Sequence, residues 1–300
     1  MDENFPWSKI CDAHSHLQND VKNHSRIGEL KTSRICMMGY KFEDLDVVSK
    51  LSKDFPDKII PSFGYHPWFA HLLSLGEFTS DPHAHYCSIL NGSVSKKNTS
   101  STTEDNNLDT LISSLPPPIP YSSWHGKLES LIESHPGALV GEIGLDKSAK
   151  LTLPSSPAKH KRAVSLHCVQ STGQIMQLLD RKVLDKQPLP PRICMHSYGG
   201  SVDTIKALTE TQPKKKKKLP VQVYFSFSIV INERYSRLPD LIKAVPEDRL
   251  LIESDFHSPV GLDDLMERIV KLVSNVKGWT PEFTVEKCKE NFSRFIGESQ

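Results

Sequence analysis

The sequence predicts an α/β protein built as a (β/α)8 barrel, the TIM-barrel architecture. Three observations carry this expectation. Short runs rich in β-branched and apolar residues recur about eight times, several of them apolar on both faces as strands inside a parallel sheet must be. Amphipathic stretches with helical spacing lie between them. Several of the apolar runs also end on an ionisable residue, the place where a parallel barrel assembles a site. A doubly wound open sheet is the competing architecture, but no glycine-rich phosphate fingerprint supports it. There is no solenoid repeat.

The elements follow in order. "KICDAHS" and "RICMMGY" read as the first two strands, and "EDLDVVSKLSKDF" follows as a helix with Leu45, Val48 and Leu51 on one side. "KIIPSFGYH" is the third strand. Residues from about 74 to 122 are rich in Ser, Asn, Thr and Pro. Such a composition buries little apolar surface, so it reads as a flexible insertion in one barrel domain spanning 1–300. "GKLESLIESHP" gathers Leu128, Leu131 and Ile132 and stops at Pro136. "ALVGEIGL" and "AVSLHCV" are strands four and five. Between Asp146 and Ala163 a barrel helix of about 10–12 residues hardly fits beside "LTLPSSP", with only "AKHKR" as its tail, which predicts a truncated helix there. "RICMHSY", "VQVYFSFSI" and "RLLIESD" complete the strands. "STGQIMQLLDRKVLDK", "SVDTIKALTE", "LPDLIKAV" and "LDDLMERIVKLVSNV" supply further helices.

Composition narrows the functional classes. A net charge of +1 over 300 residues gives no reason for capture of nucleic acid by global charge. The opening "MDENFPWSKI" is acidic and lacks a long apolar run, and no run is long enough to span a bilayer. The six cysteines form no CxxC pair, as expected of reduced thiols inside a cell. A cytoplasmic location is expected. The run Lys214 to Lys218 adds the nucleus, either as an import tag or as a phosphate-attracting patch, against the plainer reading of a solvated loop.

The chemistry lies at the strand ends. "DAHSH" gives His14 and His16, "VGEIG" gives Glu142, "VSLHC" gives His167, "ICMHS" gives His196 and "LLIESD" gives Asp255. One histidine after a strand has an ordinary structural explanation. A barrel would bring all six to one mouth, and buried carboxylates gathered there call for a bound cation. Mixed imidazole and carboxylate donors suit zinc, manganese, iron or, less well, magnesium. Six donors exceed the need of one ion and match two ions bridged by a carboxylate. The expected split is His14, His16 and Asp255 on one ion and His167 and His196 on the other, with Glu142 as the bridge. Such a pair acidifies water for hydrolysis, and Asp255 is placed to take its proton. Phosphate, amide and lactone substrates all remain open on the donor set alone.

"DAHSHL", "GYHPW", "GEIGLD", "LHC", "MHSYGGS" and "LLIESDFHSP", in this order, resemble the TatD family of metal-dependent deoxyribonucleases, and most of all its fungal branch. The resemblance runs from about residue 10 to 297. It implies a TIM barrel, divalent metal ions and hydrolysis of DNA phosphodiesters, often from an end; few aromatic and basic residues interleave into a base-stacking platform, so reading of DNA sequence is not expected. It implies the same six ligands, and His66 of "GYHPW" as a group that holds the scissile phosphate. One departure stands out: the family commonly carries an arginine two residues after the fifth-strand histidine, and this chain has Val169. A hydrolase of a small amide or lactone is one alternative. A non-catalytic scaffold that binds a protein partner through the insertion or Lys214–Lys218 is the other.

Overall fold

The computed structural model describes residues 5–76, 82–91, 110–147, 161–209 and 220–298. Eight strands lie where the apolar runs predict them: β1 (Cys11–Ser15), β2 (Arg34–Met38), β3 (Ile59–Phe63), β4 (Leu139–Asp146), β5 (Val164–Val169), β6 (Arg192–Met195), β7 (Gln222–Phe227) and β8 (Leu250–Ile252). They pair in sequence order, and every pair is parallel. The seam between β8 and β1 is closed just beyond the end of β8. Asp255 N–H donates to the His14 carbonyl at 2.9 Å, and His16 N–H donates to the Phe256 carbonyl at 2.8 Å. The buried Asp12 carboxylate reinforces the seam by accepting the Ser254 N–H at 2.9 Å and its hydroxyl at 2.6 Å. Burial pushes the Asp12 carboxyl up to about 7.

Two irregularities in the ladder decide what points inward. On β1 the register runs from Asp12 opposite Ile35 to Ser15 opposite Met37, three steps against two. On β4 it runs from Val140 opposite Val164 to Ile143 opposite Leu166, again three against two. One extra residue reverses the inside–outside alternation of a strand. Cys11 and Ala13 therefore pack inside the lower barrel, while His14 and His16 point inward above the bulge. Leu139 and Glu142 are both interior although three positions apart.

The barrel interior changes character along its axis. Its lower layer is apolar, with Cys36, Ile60, Leu139, Cys194, Tyr224 and Leu251 packed together. Above it lie the serine hydroxyls of Ser62, Ser165 and Ser226, all fully buried. The ionisable groups come next, at the C-terminal strand ends. Outside the strands, Ile35, Met37, Ile59 and Phe63 face the helices.

The helices are α1 (Asp44–Asp54), α2 (Pro82–Asn91), α3 (Tyr121–Ser134), α4 (Thr172–Leu184), α5 (Val202–Thr209), α6 (Ile229–Asn232), α7 (Leu238–Ala244), α8 (Leu262–Lys277) and α9 (Pro281–Ile296). None among the described residues is long and apolar enough to cross a membrane. The connection from β1 to β2 is two 3-10 stretches, Leu17–Asn19 and Val21–Glu29. Helix α9 is an addition to the sequence reading. The Thr280 hydroxyl caps it by accepting the Phe283 N–H, Pro281 occupies its first turn, and Gly297 ends it at φ 87°. Its Phe292 and Phe295 close the lower end of the barrel, with the Phe295 ring 5.6 Å from that of Tyr224.

The two ends of the insertion carry more structure than their composition suggests. Tyr86 on α2 is buried and donates its hydroxyl to the Pro116 carbonyl at 2.6 Å. Ile112, in a helical turn at 110–114, is buried as well, and Leu73 bridges to Ile119. Residues 77–81 and 92–109 lie outside the described residues, as do Lys214–Lys218 and residues 148–160, where the truncated helix was expected.

Candidate metal centre

Each predicted site residue reaches the mouth formed by the C-terminal strand ends. His14 leaves β1 and His16 follows it. Glu142 lies in β4, His167 in β5, His196 just after β6 and Asp255 just after β8. Asp255 adopts a left-handed backbone at φ 49°, and Ser197 beside His196 does so at φ 40°. The Ser197 hydroxyl lies 2.6 Å from Glu253 Oε1 and 3.0 Å from Asp255 Oδ2, so its one proton ties the turn after β6 to the segment after β8.

Glu142 stands at the centre. Its Oε2 faces His14 Nε2 at 3.6 Å and His16 Nε2 at 3.4 Å. Its Oε1 faces His167 Nδ1 and His196 Nε2, both at 2.8 Å. Asp255 Oδ1 lies 3.9 Å from His14 Nε2 and 3.6 Å from His16 Nε2. Three trios have donor atoms close enough to share an ion: His14, His16 and Asp255; His66, Glu142 and His167; and His14, His196 and Glu253. The first trio matches one half of the expected split. The second and third place His66 and Glu253 beside the other half, which the sequence reading assigned to His167 and His196.

Hydrogen bonds behind the rings show which nitrogen faces the mouth. His16 Nδ1 donates to the Met38 carbonyl at 3.3 Å, which turns Nε2 toward the carboxylates. His14 Nδ1 meets Ser165 Oγ at 2.8 Å. His167 Nε2 meets Asp146 Oδ2 at 3.2 Å, which leaves Nδ1 toward Glu142. His196 Nδ1 is buried without a hydrogen bond and faces Glu253 Oε1 at 3.7 Å. His66 is the reverse case. Its Nδ1 accepts the Trp68 backbone N–H at 3.1 Å, so its Nε2 carries the proton and presents a donor to the mouth.

The electrostatics are those of a cage short of positive charge. Burial raises the Glu142 carboxyl, but His196, His14 and His16 outweigh it and hold the group well below the usual range. Burial opposes charge on His196, yet Glu142 and Glu253 drive its pKa well above the ordinary value. His16 is raised, with burial again outweighed by Glu142 and Asp255. Burial lowers His14, helped by His196. Burial also takes His66 down to about 4, so it is a neutral imidazole at neutral pH. Protons on imidazoles thus neutralise clustered carboxylates, the task a divalent ion performs when it binds such a donor set.

Three participants escaped the sequence reading. Glu253 is fully buried and accepts the Ser197 N–H at 2.7 Å, the Ser197 hydroxyl at 2.6 Å and the Ser226 hydroxyl. Asp146 lies behind His167 and accepts the Trp68 indole N–H at 2.8 Å. Trp68 is 59% exposed beside the mouth, with its ring at right angles to His66. Glu253 and Asp146 stood in the quoted runs "LLIESD" and "GEIGLD", two residues before Asp255 and four after Glu142, a spacing that any acid near a strand end can show. Val169, at the position of the expected arginine, is 40% exposed at the end of β5.

Known proteins can now be set beside this arrangement. The chain is 31% identical to the Cut9-interacting protein scn1 of Schizosaccharomyces pombe, over 96% of this chain and 98% of that one. It is 25% identical to an uncharacterized deoxyribonuclease of Saccharomyces cerevisiae, over 96% and 99% of the two chains. Its fold matches the crystal structure of YjjV, a TatD homolog from Escherichia coli K12, with a TM-score of 0.59 at 14% identity over 97% and 98% of the chains. The sequence model of the TatD related DNases matches residues 11–297, from the first residue of β1 to the glycine that ends α9. A match that takes in all eight strands and the whole ring of donors leaves one assignment: this chain belongs to the TatD-related DNase family of hydrolases.

Proposed function

We propose that the chain is a metal-dependent deoxyribonuclease that cleaves DNA phosphodiester bonds with two divalent ions, magnesium, manganese or zinc. The observation that carries this is Glu142, with one carboxylate oxygen turned to His14 and His16 and the other to His167 and His196. A bridging carboxylate needs that disposition. The donor set also fits: four imidazoles whose inward nitrogens face carboxylates, three of them with the other nitrogen at an acceptor or hydroxyl. His14, His16 and Asp255 would hold one ion, His167 and His196 the other, and Glu142 both.

Bound ions of this kind lower the pKa of water and polarise a phosphoryl oxygen. The residues do the rest. Asp255 accepts the proton of the attacking water, with the Ser197 hydroxyl, held by Glu253, 3.0 Å from its other oxygen. His66, neutral and protonated on Nε2, donates to a non-bridging phosphate oxygen. A ligand would need that nitrogen bare, which is why His66 is assigned to phosphate although it lies within reach of an ion. Trp68 offers an exposed ring at the rim for a base to stack on, a contact tolerant of sequence. The Cut9-interacting name of the fission-yeast relative supports a protein partner as an additional property.

Purified chain incubated with single- and double-stranded DNA and each metal tests the proposal, with Glu142→Gln alongside. Cleavage that needs metal and fails in the variant is expected. Equal cutting by both proteins, or none by wild type with any of the three ions, overturns it.

A further inference from the structure

We propose that the chain holds a second site, a basic cavity at the end of the barrel opposite the metal centre, that binds a small phosphate ester of nucleotide size. The cavity measures about 620 Å³ and is walled by the starts of the strands and the loops that lead into them. Arg34 opens β2 and Arg192 opens β6. Arg162 and Lys161 lie just before β5, and Lys53 sits near the end of α1. Against these five cations the lining holds, among the described residues, one carboxylate, Glu298, which is paired with Arg34 at 3.1 Å.

The guanidinium groups are partly buried and incompletely satisfied. The Nε atoms of Arg34, Arg162 and Arg192 are all buried without a hydrogen-bond partner. Arg162 spends one Nη2 donor on the Ile132 carbonyl at 3.3 Å. The three Nε atoms are closed off from the lumen, so what the cavity offers a ligand is its charge: among the described residues, five cations against a single carboxylate favour an anion. The planar arginine fork suits phosphate oxygens. A single carboxylate would offset one of the unpaired cations, whereas a phosphate ester brings up to two negative charges per group. Pro56 and Pro136, both exposed, add apolar surface for the organic part. The volume lies within the range of small-molecule sites. No residue of the metal centre lines the cavity, so its ligand binds without the metal ions.

The test is calorimetric titration of the full chain with adenosine 5′-diphosphate in EDTA, which keeps metal-held phosphate out of the measurement. Adenosine and hexaglutamate are the comparators. Saturable binding of the diphosphate and none of adenosine is expected. Arg162→Gln and Arg192→Gln should each weaken it about tenfold or more, the loss of a charged hydrogen bond, with unchanged circular dichroism and Tm. Lys53→Gln, on the exposed rim, gives a smaller loss and serves if an arginine variant does not fold. Absent diphosphate binding at millimolar concentration, undiminished binding in the Arg162→Gln/Arg192→Gln double variant, or binding of hexaglutamate alone overturns the proposal.

Discussion

Glu142 and His66 differ in a way that spacing cannot reveal. Both are buried in the mouth, yet one presents two acceptors to four imidazoles and the other presents a proton. The two therefore fail differently when changed. Glu142→Gln should reduce bound metal from about two equivalents to one or none, and lower DNA cleavage by more than about 100-fold, since even outer partners of ligands cost about 10–100-fold. His66→Ala should leave the metal content intact and raise KM while lowering kcat; elemental analysis beside steady-state kinetics separates the cases. Glu253→Gln belongs with the outer partners, so a loss of about 10–100-fold in metal affinity is expected in a competition titration with a chelating dye. The six donors were legible in the sequence because each ends an apolar run. Glu253 and Asp146 were not, because they act from behind an imidazole and their spacing resembles that of any acid beside a strand.

At the scale of elements, the alternation of a strand would place Glu142 outside if Leu139 is inside. The bulge in β4 resolves the conflict, and that in β1 does the same for His14 after Ala13. Apolar periodicity located all eight strands but carries no mark of a bulge, which arises from ladder pairing with a neighbour. Glycine shows how tight the arrangement is. A Cβ on Gly144 would overlap the carbonyl oxygen of His167 on β5. Gly144→Ala should therefore destabilise the fold by about 1–3 kcal/mol in urea titration and weaken metal binding by displacing His167. Helix α9 was legible in principle. Val285, Cys288, Phe292 and Phe295 repeat at steps of three and four between a Thr-Pro start and Gly297, and all four are buried. Phe295→Ala, at the barrel floor, should cost about 3–5 kcal/mol by the same titration.

For the whole molecule, the barrel separates two chemistries along one axis, with carboxylates and imidazoles at one end and guanidinium groups at the other. Ions that bind only the folded state stabilise it by about 2.7 kcal/mol at 100 times Kd. Manganese at that excess should therefore raise Tm by about 4–5 °C per bound ion in a chelator-treated sample, and Glu142→Gln should remove at least half of the shift. The sequence made the barrel legible through repetition, and the polar mouth through the strand ends. The basic cavity stayed hidden because its arginines stand at strand starts scattered from residue 34 to 192, where each alone looks like ordinary surface charge. The position of α9 in the chain has one last consequence. Phe292 and Phe295 emerge from the ribosome after all eight strands, so the growing polypeptide keeps an unplugged, greasy floor until α9 has been made. Ribosome-bound chains arrested before residue 281 should be digested by protease within the strands, while those released with α9 resist.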